Sequence, residues 1–320
     1  MDNITTFSQL YQMAQTHIEV FDLGRQFQHL DADDFYKIET GEIAYPFPYK
    51  DSAHIAILTW QPQYPEKHSI WLFKWGLDER NVVNIAEQQS CLERVVTSLM
   101  TKDDEERRRL LQDHPFHFKP NEIMQACFHA KASMILGQSV SKYYEATSKY
   151  FLTDQNENWQ TIGVQGVGEL VWRLTDADKK IVVSKFNQYA KPAQLCFLAC
   201  LEHVNDDPQF SKQLINVVEL DEFELFSHVI RAVSKTANNN KVKQWIHDLV
   251  NTHQDLHLEC LLAIATRAYL GLDDDIVMIN LFHKLAQNSN IDTIDIIAKD
   301  LARIEKLRAL VVRALRVPMQ

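Results

Sequence analysis

Apolar and polar positions follow two different periods along this chain. In the first part, "IEVFDLG" (18–24), "HIAILTW" (54–60) and "SIWLFKW" (69–75) are rich in β-branched and aromatic residues and read as strands. The polar, proline-containing stretch "QPQYPEK" separates the last two, which predicts an antiparallel hairpin. A period of two places Trp71, Phe73 and Trp75 on one face and Ile70, Leu72 and Lys74 on the other. The aromatic face is expected to be buried under a helix over 81–100, "NVVNIAEQQSCLERVVTSLM".

Beyond residue 102 the period lengthens to that of a helix. "DDEERRRLLQ" (103–112) sets acids before bases, with i, i+4 pairs from Asp103 to Arg107, Asp104 to Arg108 and Glu105 to Arg109, and reads as a solvated helix face. Ile123, Cys127, Ala130 and Met134 form one helical stripe, and Val140, Tyr143, Tyr144, Thr147 and Phe151 the next. From about 157 to 317 the helices come in pairs whose first members begin near 161, 192, 222, 255 and 291. The expected fold is α+β: a small antiparallel-sheet domain (1–102), connecting helices (103–156), and an all-α, HEAT-like helix-pair solenoid (157–320). The acid clusters at 31–34 and 273–275 stand where helix starts are predicted.

"GVQGVGELVWRL" (163–174) raises the question of a phosphate loop. Its glycines follow the order G-x-x-G-x-G, no buried strand precedes it and no Lys-Ser or Lys-Thr follows, so the phosphate-cradling pattern is missing. Val164, Val167, Leu170, Val171 and Leu174 make a helical stripe, and Gly163 and Gly166 lie three apart, where a neighbouring backbone could approach closely. Helix packing is the better explanation of these glycines.

Composition narrows the chemistry. The 320 residues are 46% hydrophobic and 24% charged, as in ordinary globular proteins, and the net charge of −10 opposes broad nucleic-acid binding. The N-terminus lacks the pattern of a signal peptide and no apolar run is long enough to span a bilayer, so a cytoplasmic location is expected. The five cysteines are scattered without C-x-x-C spacing, and Cys196 and Cys200, four apart on an apolar helix, read as core filler. No cofactor is expected.

In "DHPFHFKP", His114 and His117 could begin a metal site, with Asp113 or His129 as further ligands, although Pro115 opposes a helical H-x-x-x-H geometry. The last helix carries Arg303, Lys306, Arg308, Arg313 and Arg316 against the single Glu305, opposite an apolar face. Such a helix lies on a membrane surface, grips an acidic partner, with Arg308, Arg313 and Arg316 at the contact, or caps the array with a soluble face. If the second helix of each pair lines a groove, Lys180, Lys243, Gln244 and His247 stand near it.

"SIWLFKWGLDERNVV" together with "WQTIGVQGVGELVWRL" resembles an uncharacterised bacterial domain-of-unknown-function family of similar length, over most of the chain. The resemblance implies a bacterial cytoplasmic protein and brings no assigned activity. Two readings of function follow. One is a non-enzymatic interaction or scaffold protein whose solenoid groove receives another protein or a peptide, with homo-oligomers compatible. The alternative is an enzyme with a site at the junction of sheet and helices, metal-dependent through His114 and His117.

Overall fold

The computed structural model describes residues 4–112, 115–153 and 158–317, in two compact units, Met1–Pro120 and Asn121–Gln320. The first holds α1 (Phe7–Met13), β1 (His17–Asp22), β2 (Gln28–Leu30), α2 (Ala32–Glu39), β3 (Ser52–Gln61), β4 (Tyr64–Gly76), α3 (Ile85–Met100) and α4 (Asp104–Gln112). Its sheet is antiparallel throughout, in the order β2-β1-β3-β4. The alternation along β4 turns Phe73 and Trp75 to the core at 1% and 0% exposure, while Trp71 at the rim is half-buried. Three helices cover that face, not α3 alone. Phe7 of α1 stands 4.8 Å from Phe73, Phe35 of α2 stacks 6.3 Å from Trp75, and the Trp75 indole N–H donates to Cys91 Sγ of α3 at 3.3 Å. Each large side chain sealed in this way contributes about 2 kcal/mol relative to exposure.

Three further details differ from the sequence pattern. The stretch expected to be a loop at 61–67 is mostly strand, because β4 is an edge strand and an edge tolerates Pro65. α3 begins at Ile85, since Asn84 accepts from the amides of Ala86 and Glu87 and fixes the start there. In α4, Asp103 accepts from the amides of Glu105 and Glu106, which takes it out of the expected side-chain ladder, and Arg107 pairs with Asp104 at i, i+3 instead.

The second unit contains α5 (Glu122–Ile135), α6 (Tyr144–Leu152), α7 (Val164–Arg173), α8 (Asp176–Lys185), α9 (Lys191–Val204), α10 (Pro208–Leu214), α11 (Phe223–Ala232), α12 (Asn240–Thr252), α13 (Leu258–Thr266), α14 (Asp275–Asn288), α15 (Ile291–Ala302) and α16 (Glu305–Ala314). It has no strand among its described residues. The odd-numbered helices pack in succession to form one layer, the even-numbered ones form the other, and one continuous core lies between them. Helix starts are marked by side chains that accept orphan amides: Asn121, Thr175 with Asp178 in a reciprocal box, Asp207, Asn239, Asp274 and Asn290.

The glycines of the 163–174 segment are sites of close approach. A Cβ on Gly166 would lie 2.7 Å from the Tyr143 carbonyl oxygen and 2.3 Å from Thr147 Oγ1, so α7 rests directly on the start of α6. On Gly168 it would lie 3.0 Å from the backbone of Ala126 in α5. The buried stripe Val167, Leu170 and Val171 completes the contact. Alanine at 166 gains about 1 kcal/mol of helix propensity but must displace backbone, a change that typically costs ~1–3 kcal/mol. Gly166→Ala is therefore expected to lower the midpoint of chemical denaturation, and an unchanged or raised midpoint would show that α6 and α7 can separate freely.

Candidate functional site

The residues singled out on the second unit lie in its even-numbered helices, except Arg316 in the turn after α16, and several of them join one helix to the next. Lys243 Nζ pairs with Asp273 at 2.9 Å, and His247 Nε2 meets the Gly271 carbonyl at 2.8 Å and Asp273 Oδ1 at 3.8 Å, so both tie α12 to the segment before α14. Arg313 Nε donates to Asp275 at 2.7 Å and links α16 to α14, while Lys179 pairs with Asp207 at 2.7 Å between α8 and the cap of α10. Arg308 donates to the Ala302 carbonyl at 3.0 Å at the end of α15, and Gln244 donates to Asp248 within its own helix. Lys180 and Arg316 are exposed. His114 and Asp113 lie outside the described residues. His117 is exposed and its backbone bridges Phe73 at the outer edge of β4, and His129 sits on α5. Among the described residues no group of three His, Cys, Asp or Glu could hold a metal ion.

A concave feature that the sequence did not announce lies in the first unit, between α1, α2 and β1. It encloses about 510 Å³, within the ~300–1,000 Å³ range of ligand sites, and is lined among others by Ser8, Tyr11, Gln12, Ile18, Tyr36 and Lys37. Strand lengths create it: β2 pairs only with Val20, Phe21 and Asp22, so among the described residues no strand pairs with His17–Glu19 on that side of β1. The Leu23 amide donates to the His54 carbonyl at 2.8 Å, which fixes the alternation along β1. The N–H and C=O of Ile18 consequently point away from β3, toward the edge left open.

One buried carboxylate holds the two helical walls together. Glu39, at the end of α2 and 2% exposed, accepts from the amide of Phe7 at 2.6 Å, from the amide and hydroxyl of Ser8 at 3.0 and 2.6 Å, and from Gln88 Nε2 at 2.9 Å. It thereby satisfies the free amides at the start of α1, where negative charge is also favoured. Burial raises the Glu39 carboxyl above the ordinary range against the opposing pull of these hydrogen bonds. Burial, and then the charge of Glu39, push the Tyr11 phenol well above its usual value. Tyr11 is 6% exposed and its hydroxyl has no hydrogen-bond partner among the described residues.

A second cluster of titratable groups sits at the other end of β1. Tyr45 donates to Asp22 Oδ1 at 2.5 Å, and the Gly24 amide donates to Oδ2 at 3.2 Å. Burial raises the Asp22 carboxyl to about 7, with the Tyr45 hydrogen bond opposing. Burial, followed by the charge of Lys74, lowers His54 to about 4, so its imidazole is neutral at pH 7 and its Nδ1 is unpartnered among the described residues. A Cβ on Gly24 would lie 3.2 Å from both Asp22 Oδ1 and His54 Nδ1, so only glycine leaves this corner undisturbed. Acid and imidazole with displaced pKa values are the raw material of acid–base chemistry. Asp22 is fully buried, and its hydrogen bonds with Tyr45 and Gly24 hold the end of the strand.

The chain belongs to the family described as "Protein of unknown function (DUF3549)", whose model matches residues 2–320. No curated protein and no solved structure matches it. Among the described residues no helix is long and apolar enough to cross a membrane.

Two outcomes follow from these contacts. Because the folded-state value of Asp22 is raised, its contribution to stability is fully present below the unfolded carboxylate value and is lost as pH rises through about 7. Between pH 5 and 8 the wild type is expected to lose about 2 kcal/mol relative to Asp22→Asn, measured by denaturant titration at each pH. Parallel pH profiles would show that Asp22 stays ionised. On the array, exposed ion pairs contribute about 0–1 kcal/mol. Replacing Arg308, Arg313 and Arg316 together by glutamine is expected to leave the thermal midpoint nearly unchanged, and unfolding of that variant would mean that the Arg313–Asp275 pair is worth far more than an exposed ion pair.

Proposed function

We propose that this member of the DUF3549 family is a non-enzymatic interaction or scaffold protein of the bacterial cytoplasm that receives an extended segment of another protein. The observation that carries this reading is the backbone of Ile18, which has no strand partner on its outer side among the described residues, beside a groove of ligand size. A peptide laid along β1 would gain main-chain hydrogen bonds there, while Tyr36 and Lys37 on one wall and Ser8 and Gln12 on the other would meet its side chains. In our reading the second unit is a HEAT-like array. The stacking of alternate helices into two layers supports that description, and the exposed residues of the even layer, Lys180 among them, offer a second surface to a partner.

A photoreactive benzoylphenylalanine placed at Tyr36, and in a separate preparation at Lys180, tests the reading in cell lysate. Specific adducts at position 36 that an excess of the captured protein's own segment abolishes are expected. Adducts confined to position 180 would move the binding function to the array. Background labelling at both positions would remove the interaction reading.

A further inference from the structure

The last two helices of the second unit leave one flank uncovered among the described residues. Arg313 marks the inner flank of α16, because it is tied to Asp275 of α14. At 3.6 residues per turn Arg308, Val312 and Leu315 fall on the other flank, and all three are exposed. In α15, which packs on α13, one flank is half-buried at Thr293 and Asp300, and the opposite flank exposes Ile291 and Asp295. Ile294, Ile297 and Leu301 of α15 and Leu307, Val311 and Ala314 of α16 face the core. The two exposed flanks together form one end of the two layers.

This end carries large apolar side chains. Ile291 is 68% exposed, Val312 43% and Leu315 41%, whereas the terminal helices of a stacked array ordinarily turn polar side chains outward. Its charges are also sorted by helix. α15 carries Asp292, Asp295 and Asp300 against Lys299, and residues 305–316 carry Lys306, Arg308, Arg313 and Arg316 against Glu305. Asp292, Arg308 and Arg316 have no ion-pair partner among the described residues, and Asp295 is held only by Lys299 of its own helix.

We propose that this end is the interface through which two copies of the chain form a symmetric dimer. A two-fold axis running along the helices lays α15 of each copy on α16 of the other. Ile291 of one copy then meets Leu315 of the other, and Asp292 and Asp295 meet Arg316 and Arg308. Such a contact uses the same patch twice and closes on itself, so assembly stops at two. The sorting of charge selects a second copy as the occupant. It offers an acidic helix to the basic one and a basic helix to the acidic one, whereas a partner of one sign would be attracted by one helix and repelled by the other. The perpendicular two-fold axis is disfavoured for the same reason, since it sets acid on acid and base on base. α15 has 12 residues, so the face is about 18 Å long, and two helices side by side make it about 20 Å wide. That is the small end of specific interfaces, so the dimer is weak, with a dissociation constant in the micromolar range, and is loosened by salt. The interface uses no residue of the groove at β1.

Sedimentation velocity of the full-length protein over a concentration series provides the test. A monomer–dimer equilibrium is expected at low ionic strength, moving toward monomer as salt rises. Asp292→Lys with Asp295→Lys makes the end predominantly basic, and Arg308→Glu with Arg316→Glu makes it predominantly acidic. Each variant alone is expected to self-associate at least tenfold more weakly than the wild type, whereas an equimolar mixture of the two is expected to form a heterodimer. All four positions are exposed, and folding of each variant is checked by its helical signal. A wild type that stays monomeric up to about 0.5 mM at low salt would overturn the proposal. So would a dimer that both charge reversals leave unchanged, or a mixture of the two variants that remains monomeric.

Discussion

No helix of the second unit can stand alone. They run from 7 to 14 residues, at or below the length at which an isolated helix in water is marginal, so each depends on burying its apolar stripe against neighbours. Alternate helices meet that requirement by stacking with their own kind, and the core between the two layers runs from Cys127 to Ala314. Other features of the unit follow from the same constraint. Glycines are placed where two helices must touch backbone to backbone. Side-chain caps terminate helices too short to waste a turn. Lys179, Lys243 and Arg313 reach across to an acid at the start of a neighbouring helix of the same layer.

The pairs between helices also separate structural from recognition roles along the even layer. Lys179, Lys243, His247 and Arg313 are each held by a partner in an adjoining segment. A ligand would have to compete with those contacts. Surface pairs of this kind contribute little energy individually. Arg308 similarly serves a helix end, where a cation is favoured by the exposed carbonyls.

The first unit follows a different logic. Its sheet buries one aromatic face beneath three helices, and the carboxylate of Glu39 on α2 joins all three, through Phe7 and Ser8 of α1 and Gln88 of α3. Holding an acid in that interior is tolerable only because four hydrogen bonds converge on it. Binding α1 to α2 in this way keeps both helices off the open stretch of β1, so the groove is a consequence of core packing. The Asp22 and Tyr45 pair fixes the far end of the same strand, and β1 is thus anchored away from the edge that it leaves exposed.

The sequence by itself determined the class of fold, since a period of two followed by a period of 3.6 specifies which side chains share a face. It located the hairpin of β3 and β4, the first helices of the pairs and the acid-capped helix starts at Asp31 and Asp274, and it assigned the glycines around 166 to packing, because these depend on neighbours in the chain. Only the tertiary structure decided the rest. Nothing near Glu39 announces that it will receive the amides of Phe7 and Ser8, and the open edge at Ile18 exists only because β2 stops at Leu30. Lys243, His247 and Arg313 read as candidate partner contacts until the acids 26 to 38 positions away came into place beside them. The contact of the Cys127 thiol with the Cys200 carbonyl likewise arises from the stacking of α5 on α9, a contact between segments whose separation along the chain no local pattern encodes.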